Sequence, residues 1–208
     1  MSAPSHRTRR SHAERTAQTR ECIITAVVDS IEEVGFPRTT AAEITRRAGV
    51  TWGAVQHHFG GKDGILLAVL EDSFKRFNQR IASIPQEDSP LEIRIDLFID
   101  RAWEHFGSAH YRSTLEILMS DAGTQEKASD RPWTGQMFAA WNRVWRSLFA
   151  DAGQAQRDSM ALQRFTISTL TGLSTNSVLA GRPDRRPTAE LNLLKMILNT
   201  QLSENSRT

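Results

Sequence analysis

The residues best suited to chemistry lie in one run of twelve, Thr51 to Lys62, written T-W-G-A-V-Q-H-H-F-G-G-K. Thr51 and Gln56 carry groups that can hydrogen-bond to base edges in a major groove, and Trp52 can pack on a thymine methyl or a sugar. The other reading of Trp52 is a partly buried aromatic at a helix start. Gly53 lowers helix propensity relative to alanine, and its missing side chain lets a backbone come close to another molecule. Gly60 and Gly61 precede a helix start whose free amides can hold one phosphate, with Lys62 supplying charge. Two enzyme-like alternatives fail on spacing. His57 and His58 are adjacent, so on a helix they point about 100° apart, whereas zinc-binding pairs sit at i, i+4. The G-G-K run lacks the glycine at 56 and the Ser or Thr at 63 of a P-loop, having Gln56 and Asp63 there. No catalytic set is recognisable elsewhere, so the expectation is no enzyme, no metal and no cofactor.

These residues need elements to position them. Thr40 and Glu43 form the S/T-x-x-E pattern in which hydroxyl and carboxylate satisfy each other's orphan amides, predicting a helix from there to about Ala48. Gly49 ends it, Val50 packs inward from the turn, and Thr51 caps a second helix from Trp52 to about Phe59. Val55 and Phe59 face a core at i, i+4 spacing, and the pair makes a helix-turn-helix. A first helix from about Ala13 to Val34 supports it, with Ile23, Val27, Ile31 and Val34 on one stripe and a stop at Gly35. After Gly61 a helix runs to just before Pro85, where the I-P-Q-E-D-S-P stretch suggests a domain boundary. Further helices are predicted near 91–106, 108–121, 131–150, 154–180 and 188–204, about nine in all, with no persistent strand pattern.

Written out from Gly49 to Leu66, G-V-T-W-G-A-V-Q-H-H-F-G-G-K-D-G-I-L closely resembles the N-terminal DNA-binding signature of the TetR/AcrR family of bacterial transcriptional regulators. The resemblance is specific over about residues 15 to 70. It implies that His57, His58 and Lys62 match positions contacting or flanking phosphates, and that Thr40 matches a phosphate contact. Gln56 departs from the family, where many members carry a tyrosine that touches a phosphate; Gln can donate to the same oxygen. The implied architecture is all-α: an arm at 1–14, a three-helix helix-turn-helix domain at 15–62, a connecting helix at 63–84 and a helical ligand-binding and dimerisation domain at 85–208.

Composition fits this scheme. The 208 residues are 39% hydrophobic, enough to bury a core, and no apolar run approaches the length of a membrane span. The net charge of +2 is unevenly spread: residues 1–62 hold nine Lys or Arg against six Asp or Glu, and the remainder holds 17 against 18. Arg7, Arg9, Arg10 and Arg15 sit in or beside the arm, which either enters a minor groove or pairs with phosphates, or is a solubilising tail. Cys22 is the single cysteine, suiting a reducing cytoplasm, and its neighbours Ile23 and Ile24 favour a buried packing role over a redox sensor.

The C-terminal part concentrates aromatic and methionine side chains. Phe77, Phe98, Trp103, Phe106, Tyr111, Leu115, Met119, Met137, Trp141 and Trp145 suit the wall of a pocket for a small apolar or aromatic effector, and Glu116, His105, Arg112 and Asn142 can orient it. An aromatic core without a cavity is the alternative; the resemblance favours a pocket. Phe165, Thr169, Gly172 and Leu173 form one long face, and Leu191, Leu194, Ile197 and Leu198 nearly form a coiled-coil seam, so either a four-helix homodimer interface or an internal hairpin follows. The resemblance implies a homodimeric repressor of a double-stranded DNA operator, released by an effector. Two alternatives stay open: an effector-independent DNA-binding regulator, and a helical small-molecule-binding protein whose helix-turn-helix is purely structural.

Overall fold

The computed structural model describes residues 11–85, 89–122 and 132–203, without the side chains of residues 121, 122, 132–134, 136 and 137. Among the described residues every regular element is helical, and there are ten α-helices. The chain forms two compact units that divide between Val69 and Leu70, inside a helix. The expected breaks at 62/63 and 84/85 fall on either side of that point. The arm's residues 1–10 lie outside the described residues.

The first unit contains α1 (His12–Val34), a 3-10 turn (Phe36–Arg38), α2 (Ala41–Ala48), α3 (Trp52–Phe59) and the first turns of α4 (Lys62–Ala82). Helix α1 begins earlier than expected, so residues 11–14 are not arm. Ser11 Oγ accepts from the Glu14 N–H and the Glu14 carboxylate accepts from the Ser11 N–H, a complete capping box. At Thr40 only half of the expected box forms. The hydroxyl caps the Glu43 amide, but the Glu43 carboxylate is taken by Arg46 and Arg47, whose guanidiniums bind it more strongly than a backbone amide does. Ile23, Val27, Ile31, Ile44, Val55 and Ile65 are the buried centre of the unit. Cys22 corrects the sequence reading: it is exposed, because the buried stripe of α1 begins one residue later, at Ile23.

The second unit contains the rest of α4 with α5 (Leu91–Phe106), α6 (Ala109–Ala122), α7 (Pro132–Leu148), α8 (Gln154–Arg157), α9 (Met160–Leu179) and α10 (Thr188–Ser203). The single helix expected over 154–180 is two. Ser159 is extended and its hydroxyl caps the Leu162 amide, so the chain restarts a helix there. Helix α5 packs against α6, α9 and α10. Leu191, Leu194, Leu198 and Leu202 of α10 lie at i, i+3, i+7 and i+11 and are all buried within the chain. Three of them were interface candidates; the i, i+3, i+7 stripe that suggested a seam serves this chain's own core. Among the described residues no helix is long and apolar enough to cross a membrane.

Candidate nucleic-acid interface and internal cavity

Helix α3 is mounted so that one face is left outward. Gly49, at φ 65°, is the left-handed C-cap of α2, and the Val50 N–H returns to the Thr45 carbonyl at 3.2 Å. Thr51 is extended and its hydroxyl accepts from the Ala54 N–H at 3.2 Å, which leaves the hydroxyl proton to donate elsewhere. Val55 is fully buried, whereas Gly53, Gln56 and His57 are exposed and Trp52 is half-buried. Thr40, Thr51 and Lys62 are exposed as well. Gly53 has no internal reason to be glycine: a Cβ there would meet only Thr51 Oγ1, at 3.8 Å. Gly64, which the sequence reading passed over, is the opposite. A Cβ there would lie 1.8 Å from the Phe59 carbonyl oxygen, so only glycine lets α4 start this close to the end of α3.

Arg20 of α1 fixes the other end of α3, a role that sequence inspection missed. Its guanidinium donates to the His58 carbonyl and lies 4.4 Å over the Phe59 ring. The pairing spans 38 residues, so no local pattern announces it. Arg47 similarly joins α2 to α1 through Glu33 while holding Glu43. Hydrogen bonds from Arg46 and Arg47 lower the Glu43 carboxyl to about 2, so that acid stays ionised and paired. Burial, then His57 and Arg20, depress the His58 imidazole below its usual range, making it a neutral donor near pH 7. Lys62 Nζ lies 5.3 Å from the Phe36 ring centroid, which keeps the ammonium beside the start of α4.

The second unit holds a cavity of about 640 Å³, including its opening to solvent. Of the residues named from sequence, Phe77, Phe106, Tyr111 and Trp141 line it, as does His105. Phe98 and Trp145 do not: they are buried in the core, packed edge-to-face on each other, with the Trp145 indole donating to the Arg157 carbonyl at 3.1 Å. Trp103 packs over Gly107 instead, where a Cβ would come within 2.8 Å of the indole. Leu115 is half-buried away from the cavity, and Glu116 and Met119 are exposed. Tyr111, Thr114 and Leu118 are the α6 stripe that lines it, so the selection of Leu115, Glu116 and Met119 was rotated by about one residue, or 100°. Arg112 is tied to the Gly107 and Pro183 carbonyls, and Asn142 accepts from Gln163. The Met137 side chain lies outside the described residues.

Leu70, Ser73 and Phe74 of α4 and Ile167 of α9 complete the lining with Phe138. The i, i+3, i+4, i+7 spacing of Leu70, Ser73, Phe74 and Phe77 was the available signal. Burial, followed by the charges of Arg80 and His110, lowers the His105 imidazole to about 3. Of the interface candidates outside the core, Phe165, Gly172 and Ile197 are exposed, and Thr169 and Leu173 are half-buried.

Comparison with known proteins agrees with this architecture. Residues 23–69 match the family model of bacterial regulatory proteins, tetR family. An uncharacterised helix-turn-helix-type transcriptional regulator of Mycobacterium bovis is 30% identical over 125 residues, covering 58% of this chain and 62% of that protein's length. The helix-turn-helix-type transcriptional regulator CymR of Pseudomonas putida is 24% identical over 173 residues, covering 82% of this chain and 84% of CymR. The crystal structure of the multidrug binding protein EbrR, complexed with imidazole, shares the fold at a TM-score of 0.63 and 16% identity, covering 97% of each chain. Residues 23–69 are thus similar to the N-terminal region of the tetR family of bacterial regulatory proteins, and the chain as a whole shares the fold of the multidrug binding protein EbrR.

Proposed function

We propose that the protein is a DNA-binding transcriptional repressor, a homodimer that holds a palindromic operator and releases it when a small molecule fills the cavity. The carrying observation is the outward face of α3, where an exposed glycine with no internal steric cause sits between Thr51 and Gln56. An exposed helical glycine costs up to about 1 kcal/mol relative to alanine, so its retention fits close approach of another backbone. With α3 in the major groove, Thr51 and Gln56 read base edges, Trp52 makes apolar contact, and Thr40, His57, His58 and Lys62 hold phosphates. The exposed apolar side chains of α9 and α10, among them Phe165, Met196 and Ile197, supply the dimer contact. EbrR, which shares the fold, is a multidrug binding protein, and that supports a ligand role for the cavity.

Release needs a ligand that binds the two DNA-binding states unequally. Helix α4 is the carrier in this proposal, since residues 62–69 belong to the first unit and Leu70, Ser73, Phe74 and Phe77 line the cavity. The test is selection of bound fragments from the source genome followed by titration of variants. Lys62→Ala is expected to weaken all sequences alike and lower the salt slope by about one contact. Gln56→Ala is expected to change base preference by roughly 1–3 kcal/mol. Failure to enrich any sequence would overturn the proposal.

A further inference from the structure

The ligand class of the cavity follows from its polar groups, given the reading of that cavity as the effector site. Five polar side chains line it: Ser73, His105, Tyr111, Thr114 and Trp141. Three are engaged or out of reach. The Tyr111 hydroxyl pairs with Thr171 Oγ1 at 2.8 Å, and the Thr114 hydroxyl donates to the His110 carbonyl at 2.9 Å. The Trp141 indole nitrogen is buried and presents essentially no surface to a ligand.

Ser73 and His105 differ. They are 3% and 5% exposed, and among the described residues neither side chain has a hydrogen-bond partner. Thr114, Thr166 and Ser177 each turn the hydroxyl back to the carbonyl four residues earlier in their helices, whereas Ser73 does not. The His105 ring is packed against those of Phe77, Phe106 and Tyr111, at centroid distances of 5.3, 5.4 and 5.2 Å. Burial, then the charge of Arg80, keeps it neutral, with one N–H to donate and one nitrogen to accept. Ser73 lies one helical turn before Phe77, so the two polar side chains border one stretch of wall. A buried polar group without a partner is unfavourable, and a ligand that supplies one removes that penalty.

Charge is excluded by the same walls. Among the described residues the lining includes no Asp, Glu, Lys or Arg. An ion entering there would lose its hydration and meet no counter-charge. Aromatic faces attract cations, but the charge of Arg80, felt at His105, opposes one here; the burial that keeps His105 neutral withholds the counter-charge an anion needs.

We infer that the cavity takes an uncharged, largely apolar ligand whose neutral hydrogen-bonding group is received by the Ser73 hydroxyl and the His105 imidazole, and discriminates against ions of the same body.

Calorimetric titration of the full chain, without DNA, tests this with four probes that share a phenylpropyl body. They are 3-phenylpropan-1-ol, its shape match butylbenzene, 3-phenylpropanoate and 3-phenylpropylammonium. In the wild type the alcohol is expected to bind at least about tenfold tighter than either ion. The ratio of alcohol to hydrocarbon affinity is expected to fall about threefold to tenfold in Ser73→Ala and likewise in His105→Phe, since each loses one partner for the hydroxyl. Comparing ratios cancels the greater aversion of the hydrocarbon for water. Ser73→Ala removes an oxygen that bonds to no protein group, so it decides the matter even if His105→Phe does not fold. An ion binding as tightly as the alcohol, or an unchanged ratio in either folded variant, would overturn the inference and leave the cavity as a ligand site. Binding by none of the four would overturn the inference and the ligand role of the cavity together, and operator binding would still stand as a separate measurement.

Discussion

A methyl group at residue 64 would lie 1.8 Å from the Phe59 carbonyl oxygen, whereas one at residue 53 would meet nothing nearer than 3.8 Å. Two glycines eleven residues apart therefore make opposite predictions. Gly64→Ala is expected to destabilise the first unit by about 1–3 kcal/mol, because backbone must move to make room. Gly53→Ala is expected to leave stability unchanged or raise it by up to about 1 kcal/mol, yet to weaken operator binding. Urea unfolding and operator titration of both variants check this, and a Gly53→Ala protein that binds the operator like wild type would remove that glycine from the interface.

His105 is a second residue-scale case. Its folded value of about 3 lies below the ordinary 6.5, so the unfolded chain takes a proton that the fold refuses. Stability is expected to fall as pH drops from 6.5 toward 3, by at most about 1.4 kcal/mol per unit from this group. The paired acids Glu43 and Asp151 act in the same direction only below their ordinary values of 4.5 and 3.8. His58 shares the upper window. Thermal melts at pH 7 and pH 5 are expected to differ less in His105→Phe than in wild type; equal differences would show that this imidazole is not the source.

At the scale of elements, α10 carries two stripes with different work. Leu191, Leu194, Leu198 and Leu202 are buried in the core, while Leu193, Met196 and Ile197 point out, Ile197 being 41% exposed. Ile197→Glu is expected to give folded monomers, because the charge enters the proposed contact between subunits. Leu194→Glu is expected to cost several kcal/mol and unfold the second unit, because it places an unpaired charge in the core. Sedimentation combined with far-UV circular dichroism separates the two outcomes. A folded dimer in Ile197→Glu would move the interface off this face. The leucine spacing alone suggests a seam equally well in either place, since periodicity shows which residues share a face and not which partner covers it.

At the scale of the whole molecule, the proposal joins a cavity in one unit to a helix face in the other through a continuous α4. Leu118 lines the cavity from α6 and is only half-buried, so it can be enlarged with less strain than a core residue. Leu118→Trp is expected to fill the space, abolish ligand-induced release, and leave ligand-free operator affinity within a few-fold of wild type. Operator affinity with and without ligand is the measurement. Release that survives the substitution would place the effector elsewhere.

The helix-turn-helix was legible in the sequence because its signals are local. Gly49, Thr51 and Gly60 stop, start and stop helices by their own conformational preferences, and Val55 marks the inner face by spacing. The break at Ser159 was equally local and was missed, since a capping serine inside a long helical pattern reads as an ordinary polar position. Tertiary structure alone decided the rest. Arg20 reaches the end of α3 across 38 residues, and Glu43 abandons its own cap for two guanidiniums. Composition announced the aromatic cluster, but packing chose which rings close the core and which leave a cavity. Phe98 and Phe77 are of one residue type, similarly buried and both part of the core, and only the packing around them puts Phe77 and not Phe98 on the cavity wall.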